Sequence, residues 1–227
     1  GPTNVGKTYL STQLAMSIAT GEPWLTHPCV KSKVLVLQGE LAPGLYARSR
    51  LQPLVARYGI VDNVFFYNWS FNLAESSRFK ETFTGDAWTG FSDLEEMLDT
   101  HRPGVVLIDP LQSYHNLVEA SNDQLRELLK RLKRLAMARN IGLVLVDHDR
   151  KAAGDGSVSV RGASAKTDLA DAVIGLTRDE GRDVILGYDK IRYINRALPP
   201  PVPIYMQNQV FEIGRQIDPN YQDGDEV

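Results

Sequence analysis

The chain begins with a glycine-rich motif that constrains its fold and its chemistry more than any other stretch. The motif follows the pattern G-x-x-x-x-G-K-[ST], a phosphate-binding loop that leads from a β-strand into an α-helix. Its glycines let successive N–H groups turn toward one anion, and a helix starting near Lys7 adds its positive end to the same place. Lys7 supplies charge for the β- and γ-phosphates, and the Thr8 hydroxyl is a suitable ligand for Mg²⁺. The predicted nucleotide-binding set is Gly1, Pro2, Thr3, Asn4, Val5, Gly6, Lys7, Thr8 and Tyr9.

The composition is that of one α/β domain. With 227 residues, 43% of them hydrophobic, the chain can bury a single good core. A net charge of −3 excludes a bulk polycation, so any contact with nucleic acid has to come from local basic loops. The single cysteine, Cys29, excludes an internal disulfide and fits a cytoplasmic location. No apolar run approaches the roughly 20 residues of a membrane helix, and no signal peptide is visible.

The order of apolar strands and amphipathic helices predicts a doubly wound, mostly parallel sheet followed by a β-rich C-terminal section. A strand normally precedes a phosphate loop, and here it would lie before Gly1. We expect one nucleotide-binding domain over residues 1–217 and an acidic, flexible tail over 218–227. The predicted strands are 33–38, 64–67, 104–109, 142–146, 172–176, 183–188 and 203–206, and the predicted helices are 8–19, 43–58, 92–100 and 121–139.

Two of these helices carry more detailed expectations. Ser92 and Glu95 form a capping-box pattern, which predicts that Ser92 is the N-cap of its helix. In the helix over 43–58, the spacing places four apolar residues on the inner side: Leu45, Leu51, Leu54 and Val55.

Candidate catalytic groups follow the ends of the buried strands. Because ligands of open α/β sheets bind beyond the carboxyl ends of the strands, these groups should meet at one rim. Asp109 ends an apolar strand and is predicted to order Mg²⁺ beside the phosphate loop. Glu40 follows another strand and is predicted to polarise the attacking water, the alternative being a surface glutamate. His148 follows a third strand and is predicted to sense the γ-phosphate. The alternative is a buried histidine whose hydrogen bonds are all made within the protein.

Three segments resemble the RecA-type hexameric ATPases, and within them the DnaB and RepA replicative helicases. Glu40-Leu41-Ala42-Pro43-Gly44-Leu45 is similar to the glutamate-plus-helix stretch of DnaB proteins. Leu107-Ile108-Asp109-Pro110-Leu111-Gln112 is close to the family's metal-binding strand, in which Pro110 replaces a tyrosine. Pro110 and His148, which stands in place of the usual glutamine sensor, make the chain more similar to the RepA-like branch. Lys190-Ile191-Arg192 resembles the Lys-x-Arg pair of DnaB helicases, and the likeness spans most of 1–215.

The resemblance implies a RecA-like ATPase over residues 1–217 that forms a ring of six subunits and uses ATP and Mg²⁺ on single-stranded DNA. In such a ring Lys190 and Arg192 act on the ATP of the neighbouring subunit, and an arginine supplied in this way is worth about 10³–10⁵ in rate. The alternative is a pair of exposed cations. The catalytic set is then Lys7, Glu40, Asp109, His148, Lys190 and Arg192.

The DNA-binding loops of the family would fall around residues 113–121 and 150–166. The first offers Tyr114 and His115 as aromatic groups, and the second is glycine-rich and basic, so it favours contacts with the phosphate backbone. A plain surface loop is the alternative. The predicted nucleic-acid contacts are Arg150, Lys151, Arg161 and Lys166.

Two other functions compete with a replicative helicase. A strand-exchange recombinase of the RecA or RadA kind shares the same core but needs a polymerisation segment ahead of the phosphate loop. A nucleotide-gated regulatory or binding module would switch conformation without moving along DNA. Glu40 argues against the second, because a pure switch can dispense with a residue that activates water.

Overall fold

The structure is a computed structural model. It describes residues 5–68, 71–74, 89–117, 122–147, 164–178, 184–193, 195 and 197–214. The predicted tail over 218–227 lies outside these ranges, and so do Gly1–Asn4. None of the helices in the described part of the chain is both long enough and apolar enough to cross a membrane.

The first half of the chain forms a parallel sheet of four strands in the order β2-β1-β3-β4. Its strands are β1 (Val34–Gln38), β2 (Val64–Tyr67), β3 (Val105–Asp109) and β4 (Gly142–Leu145). The two central strands are almost wholly apolar because both of their faces are covered, as expected of strands in a parallel sheet. The predicted strands in this half are confirmed to within a residue at each end.

Helices cover both faces of the parallel sheet. Leu35 and Leu37 of β1 pack on one side against α4 (Thr89–His101) and α5 (Asn122–Arg139). Val34 and Val36 point to the other side, where α1 (Lys7–Thr20) lies. Since successive side chains of a strand point to opposite faces, this alternation shows that the sheet is doubly wound, as the sequence predicts.

The C-terminal section forms a second sheet of four strands, and it is purely antiparallel. The sequence predicts a β-rich C-terminal section after the parallel sheet, and the structure adds that its strands form a separate sheet. The last strand was missed: it is only four residues long, and the residues before it, Asn208 and Gln209, adopt positive φ without the glycine of the commonest hairpin turns. The strands are β5 (Ala172–Arg178), β6 (Val184–Ile191), β7 (Val202–Gln207) and β8 (Val210–Ile213).

Helix α1 lies between the two sheets. One side of it packs on the parallel sheet through Ala15 and Ala19. Its first turns join a second cluster with the antiparallel sheet, which includes Leu10, Leu186 and Phe211. The helix that follows the phosphate loop is thus buried against both halves of the fold.

The helical stretch after β1 contains a π-helical turn that changes which side chains face inward. It consists of α2 (Pro43–Tyr46), the π segment Ala47–Leu51 and α3 (Gln52–Tyr58). Leu54 is buried as predicted, but Leu45 and Val55 are 49% and 40% exposed. The wider π turn breaks the 3.6-residue period on which the prediction relied, so Tyr46 takes the buried position instead of Leu45.

The predicted N-cap of α4 was also wrong. The helix already includes Thr89, so Ser92 lies within its first turns. Phe91 and Leu94 are buried in the main core, and their packing outweighs a local capping pattern.

Candidate nucleotide site

The described end of the phosphate loop has the backbone shape that an anion site requires. Gly6 has a φ of +100°, a left-handed conformation that favours glycine. A Cβ at this position would lie 2.6 Å from Cζ of Phe211, so no side chain fits there. Helix α1 starts at the next residue, and Gly6 offers no side chain to cap its first turn. The positive end of α1 is therefore available to phosphate oxygens, with Lys7 beside it.

Asp109 lies against the first turns of α1 and is 3% exposed. Its Oδ1 accepts a hydrogen bond from the Thr8 hydroxyl at 3.3 Å. Its Oδ2 accepts a shorter one, 2.7 Å, from the hydroxyl of Ser11. The two predicted metal residues, Thr8 and Asp109, are therefore in contact although they are 101 residues apart in the chain.

The donor set suits Mg²⁺. This ion prefers oxygen ligands, keeps several waters and binds proteins through one or two carboxylates together with substrate phosphates. The hydroxyl of Thr8 and the carboxylate of Asp109 are ligands of this kind. Among the described residues, no three His, Cys, Asp or Glu side chains form a cluster that could hold a metal ion.

Glu40 follows β1 at the same rim. Gln38 ends β1 opposite Asp109 in the strand register, and the N–H of Gly39 donates to the Asp109 carbonyl at 3.1 Å. A Cβ on Gly39 would lie 2.6 Å from Cβ of Ser113, so this turn has no room for a side chain. Glu40 itself is exposed, next to that turn. The structure thus brings Glu40 to the same edge as Asp109, and its role with water stays a prediction.

The buried side chain of Tyr46 contacts helix α1 close to the candidate site. The Tyr46 hydroxyl forms a 3.0 Å hydrogen bond with Thr12, one turn after Thr8 in α1. Burial raises the pKa of Tyr46 well above its usual value of 10.0, and the nearby carboxylate of Asp109 adds to the rise. Tyr46 is therefore a neutral hydrogen-bonding group at physiological pH.

The antiparallel sheet touches the phosphate loop through β8. Besides its contact at Gly6, Phe211 exchanges two backbone hydrogen bonds with the side-chain amide of Gln13. Both residues are 1% exposed. The C-terminal sheet is thus part of the surroundings of the site.

Lys190 and Arg192 lie at the end of β6 and contact helix α6 (Ser164–Leu169) of their own chain. Lys190 Nζ donates to the carbonyls of Thr167 at 2.6 Å and Asp168 at 3.3 Å. Arg192 donates to the Asp168 carbonyl at 2.8 Å and to the Asp171 carboxylate at 3.1 Å. Both cations therefore stabilise the C-terminal end of α6, and their predicted action on a neighbouring subunit stays a prediction.

The predicted nucleic-acid residues are described only in part. Lys166 forms an ion pair with Asp147, which follows β4. Tyr114, one of the two aromatic groups of the first predicted loop, is fully buried and packs edge-to-face on Phe71, so its ring is not exposed to a base. Its aromatic ring packs in the core below the rim. A sequence pattern cannot tell such a buried position from an exposed position in a loop. His148, Arg150, Lys151 and Arg161 lie outside the described residues.

Sequence reasoning missed two polar residues that surround the site. Ser11 lies three residues after Thr8, a spacing that puts both hydroxyls on the same side of a helix, so this signal was available. Gln13 gives no such signal, because its partner is a backbone segment 198 residues away.

Three features together define a P-loop nucleoside triphosphatase. They are a glycine loop that leads into a helix, a buried aspartate at the end of a strand that accepts hydrogen bonds from hydroxyls of that helix, and a parallel sheet covered on both faces. The chain belongs to the AAA domain family, whose model matches residues 1–154. It is accordingly an AAA-type ATPase domain. No curated protein sequence matches it. The match ends before α6 and the antiparallel sheet, so Lys190 and Arg192 lie beyond it.

Proposed function

We propose that this ATPase domain belongs to a ring-forming motor of the RepA or DnaB type that uses ATP and Mg²⁺ to act on single-stranded DNA. The observation that carries the ATPase chemistry is the contact of Asp109 with Thr8 and Ser11 at the start of α1. The helicase assignment is supported by the sequence resemblance and by the exposure of Arg192 just after β6.

In this proposal each residue at the rim has one task. Lys7 binds the β- and γ-phosphates, and Thr8 and Asp109 hold Mg²⁺, which neutralises charge developing on the transferred phosphoryl group. Glu40 orients the water in line with the breaking bond. Arg192 stabilises the transition state of the adjacent subunit, so turnover requires assembly.

A second candidate is a nucleotide-gated regulatory module that does not move along DNA. The observation favouring it is that Lys190 and Arg192 are bonded to α6 of their own chain. In such a module the two cations would serve the stability of one subunit only.

The two functions differ in their response to DNA. We expect single-stranded DNA to raise the ATPase rate several-fold, with Lys7→Ala as the inactive control. The mass of the protein with an ATP analogue and an oligonucleotide should correspond to a ring. If the ATPase rate is unchanged by DNA and the protein stays monomeric, the regulatory module is favoured.

A further inference from the structure

Two exposed apolar side chains lie at the edge of the parallel sheet opposite the nucleotide site. Val30 and Ile60 are 87% and 90% exposed, more than any other large hydrophobic side chain in the described part of the chain. Val30 lies shortly before β1 and Ile60 shortly before β2, whereas Asp109 is at the carboxyl end of β3. Because β1 and β2 are parallel neighbours, the two exposed side chains belong to one region of the surface.

Hydrogen bonds hold the segments that precede three of the strands side by side. The Val34 N–H donates to the Asn63 carbonyl at 2.8 Å, which joins the start of β1 to the residues before β2. The Gly104 N–H donates to the Lys33 carbonyl at 2.9 Å, which joins the residues before β3 to those before β1. These segments carry a continuous surface, here called the amino edge, made of Val30, Lys31, Lys33, Ile60 and Arg102.

The amino edge carries positive charge that no carboxylate compensates. Lys31, Lys33 and Arg102 are all exposed, and the ion pairs formed among the described residues include none of them. Asp62 is the one acidic residue in the segments 30–33, 60–63 and 102–104, so the cations outnumber it. A surface that combines cations with exposed apolar side chains is complementary to an acidic peptide that also carries apolar groups.

The chain itself has such a segment within reach of the amino edge. Glu212 of β8 forms an ion pair with Arg57, which precedes Ile60 by three residues. Gly214, the last residue that the structure describes, follows Glu212 by two residues, so the chain leaves β8 beside this edge. Residues 215–227 span up to about 40 Å when extended, at about 3.3 Å per residue. The distance from β2 across β1 to β3 is only about 10 Å, since neighbouring strands lie about 4.8 Å apart.

We propose that the acidic tail over 218–227 binds to the amino edge of its own chain. Its carboxylates pair with the three cations, and Tyr221 and Val227 cover Val30 and Ile60. Tethering places the tail near this surface at an effective concentration in the millimolar range, so weak contacts are enough to hold it. The contact lies at the edge opposite the nucleotide site, so the inference goes beyond the proposed function and does not depend on it. The carboxylates are those of Asp218, Asp223, Asp225 and Glu226.

The test places a nitroxide on Cys29, the only cysteine of the chain and the residue before Val30. In the whole, isotope-labelled chain, we expect the nitroxide to broaden the amide NMR signals of residues 218–227 at low salt, relative to the reduced nitroxide. The signals should recover near 1 M salt, where the Debye length is only about 3 Å. Lys31→Glu and Ile60→Ser should each reduce the broadening. Lys130→Glu, which reverses an exposed lysine in the middle of α5, is the matched control and should keep it.

Three outcomes would overturn the proposal. The first is a tail whose signals the nitroxide does not broaden, and the second is equal broadening in Lys31→Glu and in the Lys130→Glu control. The third is broadening that arises only between a nitroxide-bearing chain and a separate isotope-labelled chain, because the edge would then bind the tail of a second copy. If the nitroxide on Cys29 disturbs folding, Asp62→Cys in a Cys29→Ser chain carries it at an exposed position of the same segments, with the same outcomes.

Discussion

The side-chain amide of Gln13 pairs with the backbone of Phe211 through two buried hydrogen bonds of 2.9 Å each. Gln13 Nε2 donates to the Phe211 carbonyl, and the Phe211 N–H donates to Gln13 Oε1. The glutamine thereby acts as one more pairing partner for β8. Since the Phe211 ring also packs on Gly6, this contact ties the antiparallel sheet to the phosphate loop.

Replacing Gln13 with methionine should destabilise the protein. The substitution keeps most of the side-chain volume but leaves the N–H and C=O of Phe211 unpaired and buried, at a cost of roughly 1–3 kcal/mol for each group. We expect a lower free energy of unfolding in urea and weaker ATP binding, because Phe211 would no longer be held against Gly6. Gln52→Met, at an exposed position of α3, is the control. Equal stability of the two variants would refute a role for the pair.

Ser11→Ala should weaken the use of Mg²⁺ more than the binding of nucleotide. The substitution removes the 2.7 Å hydrogen bond that holds Asp109 Oδ2. Hydrogen bonds to charged groups are worth about 1.5–3 kcal/mol, so the Mg²⁺ concentration giving half-maximal ATPase rate should rise by roughly tenfold or more. Ser49→Ala is the matched control, since that hydroxyl donates to the Leu45 carbonyl one turn earlier in the same helical stretch. If Ser11→Ala and the control show the same Mg²⁺ dependence, Ser11 does not position Asp109 for Mg²⁺ binding.

Arg192→Ala should abolish turnover while ATP still binds. The reason is that the guanidinium would stabilise charge on the transferred phosphoryl group of a neighbour, a contribution of about 10³–10⁵ in rate. Mixing this variant with Glu40→Ala should restore part of the activity, because some mixed interfaces then contain both an intact glutamate and an intact arginine. Steady-state ATPase rates of the separate and mixed proteins are the measurement.

Asp171→Asn serves as the control for the contacts of Arg192 within its own chain. It weakens the 3.1 Å ion pair with Arg192 but leaves the arginine in place. If this variant loses as much activity as Arg192→Ala, or if mixing rescues nothing, Arg192 acts within one subunit and not across an interface.

Tyr46 should make the protein sensitive to alkaline pH. Its pKa in the folded state is raised above 10.0 by burial first and by Asp109 in addition. Above pH 10 the unfolded chain releases this proton while the folded chain retains it, so the free energy of unfolding falls as the pH rises, by up to about 1.4 kcal/mol per pH unit. Below pH 10 both states are protonated, and the effect is absent.

Tyr46→Phe should reduce that alkaline slope when unfolding is followed between pH 9 and 11.5. The matched control is Tyr193→Phe, which removes a phenol from a residue that is already 79% exposed. We expect the control to keep the original slope. Identical slopes for all three proteins would show that Tyr46 is not held neutral by its surroundings.

The local patterns predicted much of this structure correctly. The phosphate-loop motif located the start of α1, and the apolar runs located the parallel strands, because a strand buried on both faces needs continuous apolar residues. The rule that ligands bind beyond the carboxyl ends of the strands correctly grouped Asp109 with Thr8. Each of these predictions depends on residues close together in the chain or on a general property of the fold.

By itself the sequence determined the P-loop class, the doubly wound parallel sheet and the aspartate that faces the phosphate loop. Only the tertiary structure decided that the C-terminal strands form a separate sheet against α1, that a π turn brings Arg50 over Tyr9, and that Tyr114 fills the core. The physical reason is the range of the interactions. Local hydrogen bonding and hydrophobic periodicity depend on neighbouring residues and can be read from the sequence. Packing brings together residues as distant as Gln13 and Phe211, and these contacts exist only in the folded chain.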